Sequence, residues 1–131
     1  HVARKYLEEV YALALKLAGA ISESLGLNKD YIEISLCHGL QIVANNYYPP
    51  CLEPDRMLGV SPHSNHEGLV ILIQNDVDGL QIKHGEDWVA VRHIPGTFVV
   101  NLGDYLEKLS NGKYKSVEHR AVANNCSGPW A

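Results

Sequence analysis

The chain has 131 residues, of which 46% are apolar and 20% are charged, and its formal net charge is −4. This length and composition are typical of a soluble globular domain with its own core. No apolar run approaches the roughly 20 residues needed to cross a bilayer, so we expect no membrane span. The lysines and arginines form no basic stripe, which argues against nucleic acid as a partner.

Three cysteines are odd in number and widely spaced, and they form neither a CxxC pair nor a disulfide framework. This pattern predicts reduced thiols in a cytoplasmic protein, which we expect to be a monomer. The chain begins with His1 and has no signal-peptide pattern, so we expect it to be a piece of a longer protein.

Apolar residues recur every three or four positions near the start of the chain, which predicts an amphipathic helix from His1 to Leu25. Gly26 is suited to end this helix, and Asn28 is suited to cap a second, short helix that continues to about Leu36. We therefore predict an N-terminal helical support segment, residues 1–38, followed by a strand-rich domain, residues 39–131.

From residue 39 the pattern changes to short strands separated by turn residues. The predicted strands are 41–48, 58–63, 69–74, 80–83, 88–92, 97–102 and 115–123, with a brief helix at 103–109. Segments 80–83 and 88–92 have the form of a hairpin with a three- to four-residue loop. Segment 97–102 is typical of a strand buried on both faces. Helices followed by many short strands predict a mainly β fold, a sandwich or jelly roll.

Metal-capable side chains cluster where two of these strands meet. His63 and Asn65 are two residues apart on an extended segment, so their side chains face together, whereas Ser64 and His66 face the other side. His119 lies in a distant predicted strand. A ligand pair two residues apart with one distant histidine is a common pattern of a mononuclear metal site on a sheet. The other histidines are expected at the surface or in turns: His1, His38, His84 and His93.

Several motifs follow one another in a fixed order between about residues 41 and 124. They are Asn46-Tyr47-Tyr48-Pro49-Pro50-Cys51, Gly59-x-x-Pro62-His63-Ser64, Leu69-x-Ile71-Leu72-x-Gln74, Gly79-Leu80-Gln81, Asn101-Leu102-Gly103-Asp104 and the run from Leu109 to Arg120. The series resembles the plant 2-oxoglutarate- and Fe(II)-dependent dioxygenases, which include flavonoid, gibberellin and alkaloid oxygenases. The resemblance implies a double-stranded β-helix, a cupin-like jelly roll, which we expect to be incomplete at the C-terminus.

The resemblance also implies the parts of the site. His63, position 65 and His119 correspond to the two histidines and one carboxylate that hold iron in this family. Tyr48 would bind the far carboxylate of 2-oxoglutarate, with Asn46 beside its chelating end, while Tyr47 is expected in the core. The implied cofactors are Fe(II), 2-oxoglutarate as cosubstrate and ascorbate as a reductant. The implied reaction uses molecular oxygen to hydroxylate, desaturate or O-demethylate a small plant secondary metabolite or hormone.

Two departures from the family pattern bear on activity. Position 65 is Asn rather than Asp, and a neutral amide is a weaker ligand, so we expect poor iron binding; Glu67 is a possible substitute carboxylate. The Arg-x-Ser pair that follows the distal histidine in the family is missing from residues 124–131, which removes a bidentate partner of 2-oxoglutarate. Arg120 should face away from the iron and is a poor replacement.

From the ligand spacing alone, a non-oxidative cupin-like metalloenzyme stays open, although the motif order argues against it. Two further alternatives stay open beside the oxygenase. One is a catalytically degraded homologue that binds or regulates. The other is an ethylene-forming oxidase-like enzyme that uses iron and ascorbate without 2-oxoglutarate, against which the doubled Tyr47-Tyr48 argues.

Overall fold

The computed structural model describes residues 2–36 and 39–123. The chain divides into two compact units, a helical unit (His1–Ala44) and a strand unit (Asn45–Ala131). The expected absence of Arg-x-Ser from the tail falls outside the described residues, as do Cys37, His38 and Cys126. The predicted boundary between residues 38 and 39 stays a prediction.

The helical unit contains the two predicted helices, α1 (Val2–Ser24) and α2 (Tyr31–Ser35). They meet at the buried Ser22, whose hydroxyl donates to the Ala18 carbonyl at 2.9 Å and accepts the Ile32 N–H at 3.3 Å. Both hydrogen-bonding functions of this hydroxyl are therefore satisfied inside the unit. No helix among the described residues is long and apolar enough to cross a membrane.

Two local predictions are wrong. The N-cap of α2 is Asp30 rather than Asn28, and its side chain makes no capping hydrogen bond. The predicted strand at 41–48 is absent, because this stretch pairs with no strand among the described residues and most of its side chains are exposed. Apolar alternation alone does not form a strand without a partner for its backbone groups.

The strand unit carries the remaining elements, and every strand pair within residues 45–123 is antiparallel. A four-stranded sheet has the order β1-β6-β3-β4, and a two-stranded sheet pairs β2 with β5. The elements are a 3₁₀ turn (Pro54–Arg56), β1 (Leu58–His63), β2 (Leu69–Leu72), β3 (Leu80–His84), β4 (Asp87–Ala90), β5 (Val99–Leu102), α3 (Asp104–Leu109) and β6 (His119–Val122). The predicted mainly β fold with N-terminal helices is confirmed.

Strand β1 is an edge strand with two irregularities in its pairing to β6. Its partners run Leu58↔Val122, Val60↔Ala121 and His63↔His119. Between successive pairs, β1 therefore contains one residue more than β6. Extra residues of this kind are β-bulges, which bend a strand and redirect its side chains. Pro62 is tolerated here because an edge strand can lack one N–H donor.

The hairpin between β3 and β4 is tighter than predicted. His84 pairs with Asp87, which leaves a two-residue turn of Gly85 and Glu86. Gly85 has a φ of 60°, which suits the first position of a type II′ turn.

Strand β5 leads directly into α3. It pairs with β2 over its whole length, but Val100 is 38% exposed, so the prediction of burial on both faces is wrong. Helix α3 is anchored by Leu106, which is 1% exposed. Asn111, with a φ of 51°, and Gly112 end the helix as predicted.

Candidate metal centre and cosubstrate site

The last residue of β1 and the first residue of β6 place two histidines side by side. The ring centroids of His63 and His119 are 4.3 Å apart, with an angle of 52° between the ring planes. His119 is 7% exposed, whereas His63 is open to solvent. The structure therefore brings together the two histidines that the sequence singled out.

Each of these imidazoles is oriented by a backbone carbonyl two residues earlier in the chain. The Nδ1 atom of His63 lies 2.8 Å from the Ser61 carbonyl, and that of His119 lies 3.0 Å from the Val117 carbonyl. A carbonyl only accepts, so Nδ1 carries the proton in both rings and the Nε2 lone pair is left for a ligand. Such a carbonyl–imidazole contact is how proteins orient histidine for metal binding.

Asn65 follows in the loop between β1 and β2, which spans residues 64–68. Its Nδ2 atom is buried and has no hydrogen-bond partner among the described residues. An orphaned buried donor costs about 1–3 kcal/mol, so this position is poorly matched to an amide and would suit a group that only accepts. The two histidines and this position fit a divalent metal, with Asn65 offering a neutral oxygen in place of a carboxylate.

No group of three His, Cys, Asp or Glu side chains suited to a metal occurs in residues 2–36 and 39–123. The prediction that Glu67 substitutes for the missing carboxylate is therefore wrong. Glu67 is exposed, and the loop turns at the following buried Gly68, so the extended alternation that would have aligned Glu67 with His63 does not continue.

The side chains on either side of Asn65 contact the carboxylate of Asp104, the first residue of α3. The Ser64 hydroxyl donates to Asp104 Oδ2 at 3.1 Å, and His66 Nδ1 lies 3.0 Å from the same oxygen. The nearby hydroxyl of Ser116, followed by His66, holds the pKa of the Asp104 carboxyl below its ordinary value. The Ser116 hydroxyl itself is buried and has no hydrogen-bond partner among the described residues, whereas Ser64 and His66 contact the carboxylate directly.

The sequence correctly indicated Asp104 as the start of a helix but gave it no part in the site. Two signals were available. Ser64 and His66 share the strand face opposite His63, and Asp104 belongs to one of the motifs that carried the family resemblance. Neither signal identifies the contact, because it joins residues 38 and 40 positions apart in the chain.

The predicted cosubstrate residues precede β1. The Tyr48 ring packs against Gly59, where an added Cβ would lie 2.9 Å from Tyr48 Cδ1. Burial raises the pKa of the Tyr48 phenol, which therefore stays neutral and able to donate a hydrogen bond near neutral pH. Asn46 is exposed. Tyr47 is 67% exposed, so its predicted place in the core is wrong.

Arg120 lies on the other face of the sheet from its neighbour His119. Its Nε donates to Gln81 Oε1 at 2.8 Å, and its guanidinium carbon is 4.2 Å from the centre of the Trp88 ring. The expectation that Arg120 faces away from the metal-binding side agrees with these contacts.

A cleft of about 420 Å³ lies elsewhere in the strand unit. It is lined by residues that follow β2 and precede β5, including Asp76, His93 and Phe98. Neither His63 nor His119 borders it, so this cleft is separate from the candidate metal centre.

Antiparallel strands that bring together two carbonyl-oriented histidines are a setting in which proteins build mononuclear, non-haem metal sites. A sequence model of the 2OG-Fe(II) oxygenase superfamily matches residues 39–129. The chain belongs to this superfamily. The family resemblance that the order of the motifs indicated is thereby confirmed.

Individual relatives agree with this assignment. The chain is 49% identical to Protein DMR6-LIKE OXYGENASE 1 of Arabidopsis thaliana, over 94% of this chain and 35% of that protein. It is 42% identical to oxoglutarate-dependent flavonoid 7-O-demethylase 1 of Ocimum basilicum, over 91% of this chain and 32% of that protein. The chain thus spans about a third of the length of these curated relatives.

A solved structure shares the fold. The crystal structure of JOX2 in complex with 2OG, Fe and JA superposes with a TM-score of 0.85 and 35% sequence identity. The match covers 95% of this chain and 38% of that chain.

Proposed function

We propose that the protein is an Fe(II)- and 2-oxoglutarate-dependent oxygenase of a small plant secondary metabolite or hormone. The observation that carries the proposal is the pair His63 and His119, whose rings adjoin at 4.3 Å with both Nδ1 atoms held by carbonyls. Two Nε2 atoms are thereby available for one metal ion. His63, Asn65 and His119 would hold Fe(II), which when bound supplies the oxidative chemistry with molecular oxygen.

The cosubstrate side of the proposal rests on Tyr48 and Asn46. The neutral Tyr48 phenol would donate a hydrogen bond to the far carboxylate of 2-oxoglutarate, a charge-assisted contact. Asn46 would lie beside the end of 2-oxoglutarate that chelates the metal. Ascorbate would serve as a reductant that keeps the iron ferrous.

The substrate class is inferred from the relatives. One is named as an oxoglutarate-dependent flavonoid 7-O-demethylase, and JOX2 was solved in complex with 2OG, Fe and JA. Hydroxylation, desaturation and O-demethylation are all compatible with this class. We further infer a cytoplasmic protein from the cysteine pattern. We expect a monomer with a small-molecule substrate and oxygen as its partners.

Asn65 favours a second candidate function. A site that offers two imidazoles and one neutral amide holds a divalent cation less strongly than one with a carboxylate. The second candidate is therefore a catalytically degraded homologue that keeps the fold and binds or regulates. Under the first candidate, turnover is low rather than absent.

Iron titration of the protein beside Asn65→Asp tests the proposal. We expect the variant to bind Fe(II) at least about tenfold more tightly and to produce more succinate from 2-oxoglutarate. Asn75→Asp is the matched control, because it adds the same charge in an exposed turn and should change neither quantity. Equal affinity and turnover in the protein and Asn65→Asp would overturn the role of residue 65.

Oxygen uptake separates the candidates. Uptake that depends on 2-oxoglutarate supports the oxygenase. Uptake with ascorbate alone would support the ethylene-forming oxidase-like alternative, and metal binding without uptake would support the degraded homologue.

A further inference from the structure

The loop that carries Asn65 is hydrogen-bonded to a single residue at the start of α3, Asp104. The Asp104 carboxylate binds the side chains on either side of Asn65, through Ser64 Oγ at 3.1 Å and His66 Nδ1 at 3.0 Å, both on Oδ2. The Asp104 backbone N–H donates to the Asn65 carbonyl at 2.7 Å. Asn65 is therefore held at its own backbone and through both neighbours.

Gly103, immediately before Asp104, extends the same contact along the loop. Its N–H donates to the Gly68 carbonyl at 3.0 Å. A Cβ at position 103 would overlap the carbonyl oxygen of Glu67, and Gly103 is buried, so this residue lies directly against the loop backbone. The end of β5 and the start of α3 thus form a support on which residues 64–68 rest.

We propose that Asp104 is a positioning residue of the metal centre, which fixes the backbone of Asn65 and hence the direction of the residue-65 side chain. This inference rests on the proposed function, since it assigns residue 65 to the metal. Asp104 is not itself a ligand, because no Asp or Glu forms a three-residue metal group with the two histidines among the described residues. Its contacts are with the neighbours of Asn65, and a contact of that kind controls ligand geometry.

Asp104→Ala tests the proposal, because it removes the carboxylate and keeps the backbone N–H. With Co(II) as the probe, we expect affinity to fall roughly tenfold and the visible absorption spectrum of the saturated site to change. Asp104→Asn keeps one acceptor oxygen and should recover part of the affinity. Asp78→Ala is the matched control: its carboxylate accepts the His93 N–H at 2.9 Å in another loop, so both the affinity and the spectrum should be unchanged.

A second variant tests the same contact with Asp104 unchanged, in case Asp104→Ala fails to fold. The double change Ser64→Ala with His66→Ala removes both side-chain partners of the Asp104 carboxylate from the loop and leaves α3 intact. We expect the same loss of Co(II) affinity and the same spectral change. Wild-type affinity and spectrum in both Asp104→Ala and the double variant would overturn the proposal.

Hydrogen exchange without metal separates this inference from the proposed function. If the wild-type protein binds neither Co(II) nor Fe(II), the proposed function fails, and exchange at residues 64–68 then decides the role of Asp104. Faster exchange there in Asp104→Ala, but not in Asp78→Ala, supports positioning by Asp104. Unchanged exchange overturns it.

Discussion

His63 and His119 are cross-strand partners only because β1 contains two bulges. If the register set by Leu58↔Val122 continued without interruption, the partner of His63 would be Val117. Each bulge advances β1 by one residue, and two of them bring the two imidazoles to a centroid distance of 4.3 Å. The candidate metal centre therefore depends on an irregular edge strand, which is where bulges commonly redirect functional side chains.

Removal of either imidazole should abolish tight metal binding. We expect His63→Ala and His119→Ala each to lower Co(II) affinity by at least about a hundredfold, because each leaves a single nitrogen ligand. Isothermal titration calorimetry measures the change. His84→Ala is the control, since His84 is exposed at the β3–β4 turn. This variant should bind Co(II) with the same affinity as the wild-type protein. Binding by either site variant within threefold of wild type would contradict the assignment.

The sequence predicted most elements because their signals are local. The helical period of α1 and the apolar run of β2 are each contained within one element, and the turn at Gly85 is marked by its own glycine. The two histidines were found in the same way, because each lies in a short motif. These features need no knowledge of which strands pair.

What the sequence could not supply depends on pairing between distant segments. The bulges of β1 are defined only against β6, and the predicted strand at 41–48 pairs with no strand in the part of the chain that the structure describes. The contact between Asp104 and the loop at 64–68 depends on β5 lying beside β2, a relationship that no local pattern encodes. Long-range register is thus the missing information.

Gly59 should control the placement of Tyr48. An alanine Cβ at position 59 would lie 2.9 Å from the Tyr48 ring, closer than such contacts occur, so the ring must shift. We expect Gly59→Ala to weaken 2-oxoglutarate binding with little change in Co(II) affinity. Tyr48→Phe keeps the ring but removes the hydroxyl, and should weaken 2-oxoglutarate binding about tenfold. Unchanged 2-oxoglutarate affinity in both variants would refute the role of Tyr48.

Glu107 should make the stability of the strand unit depend on pH. Its carboxylate accepts the Ser116 N–H at 2.7 Å and lies 3.2 Å from Lys115 Nζ, and these two contacts, in that order, lower the pKa of Glu107 from 4.5. A carboxyl whose folded pKa is lowered stabilises the protein above its unfolded pKa. This contribution is lost as the pH falls through the folded pKa.

Glu107→Gln tests this dependence by urea unfolding. The variant should have a lower free energy of unfolding than wild type at about pH 7. The difference between the two free energies should become smaller as the pH falls below 4.5. Lys115→Met keeps the Ser116 hydrogen bond and should show a smaller difference of the same sign. If the difference in the free energy of unfolding between Glu107→Gln and wild type stays constant across this pH range, the prediction is contradicted.

Arg120 should contribute to stability and not to cosubstrate binding. Its guanidinium carbon lies 4.2 Å from the centre of the Trp88 ring, while Lys83 Nζ lies 5.2 Å from the same ring. The Nε of Arg120 also donates to Gln81, so β6, β3 and β4 are tied together on one face of the sheet. This face is opposite His119, which excludes Arg120 from the metal site.

A double-mutant cycle between Arg120→Ala and Trp88→Leu measures this contribution. We expect a coupling free energy of about 1–2 kcal/mol, because the half-buried pair lies between the exposed and the desolvated cases. Lys83→Ala should couple less to Trp88, since Lys83 is farther from the ring and its Nζ is also held by the Glu86 carbonyl at 2.9 Å. The 2-oxoglutarate affinity of Arg120→Ala should stay within twofold of wild type. A larger loss of affinity, without loss of the folded state, would instead identify Arg120 as a cosubstrate ligand.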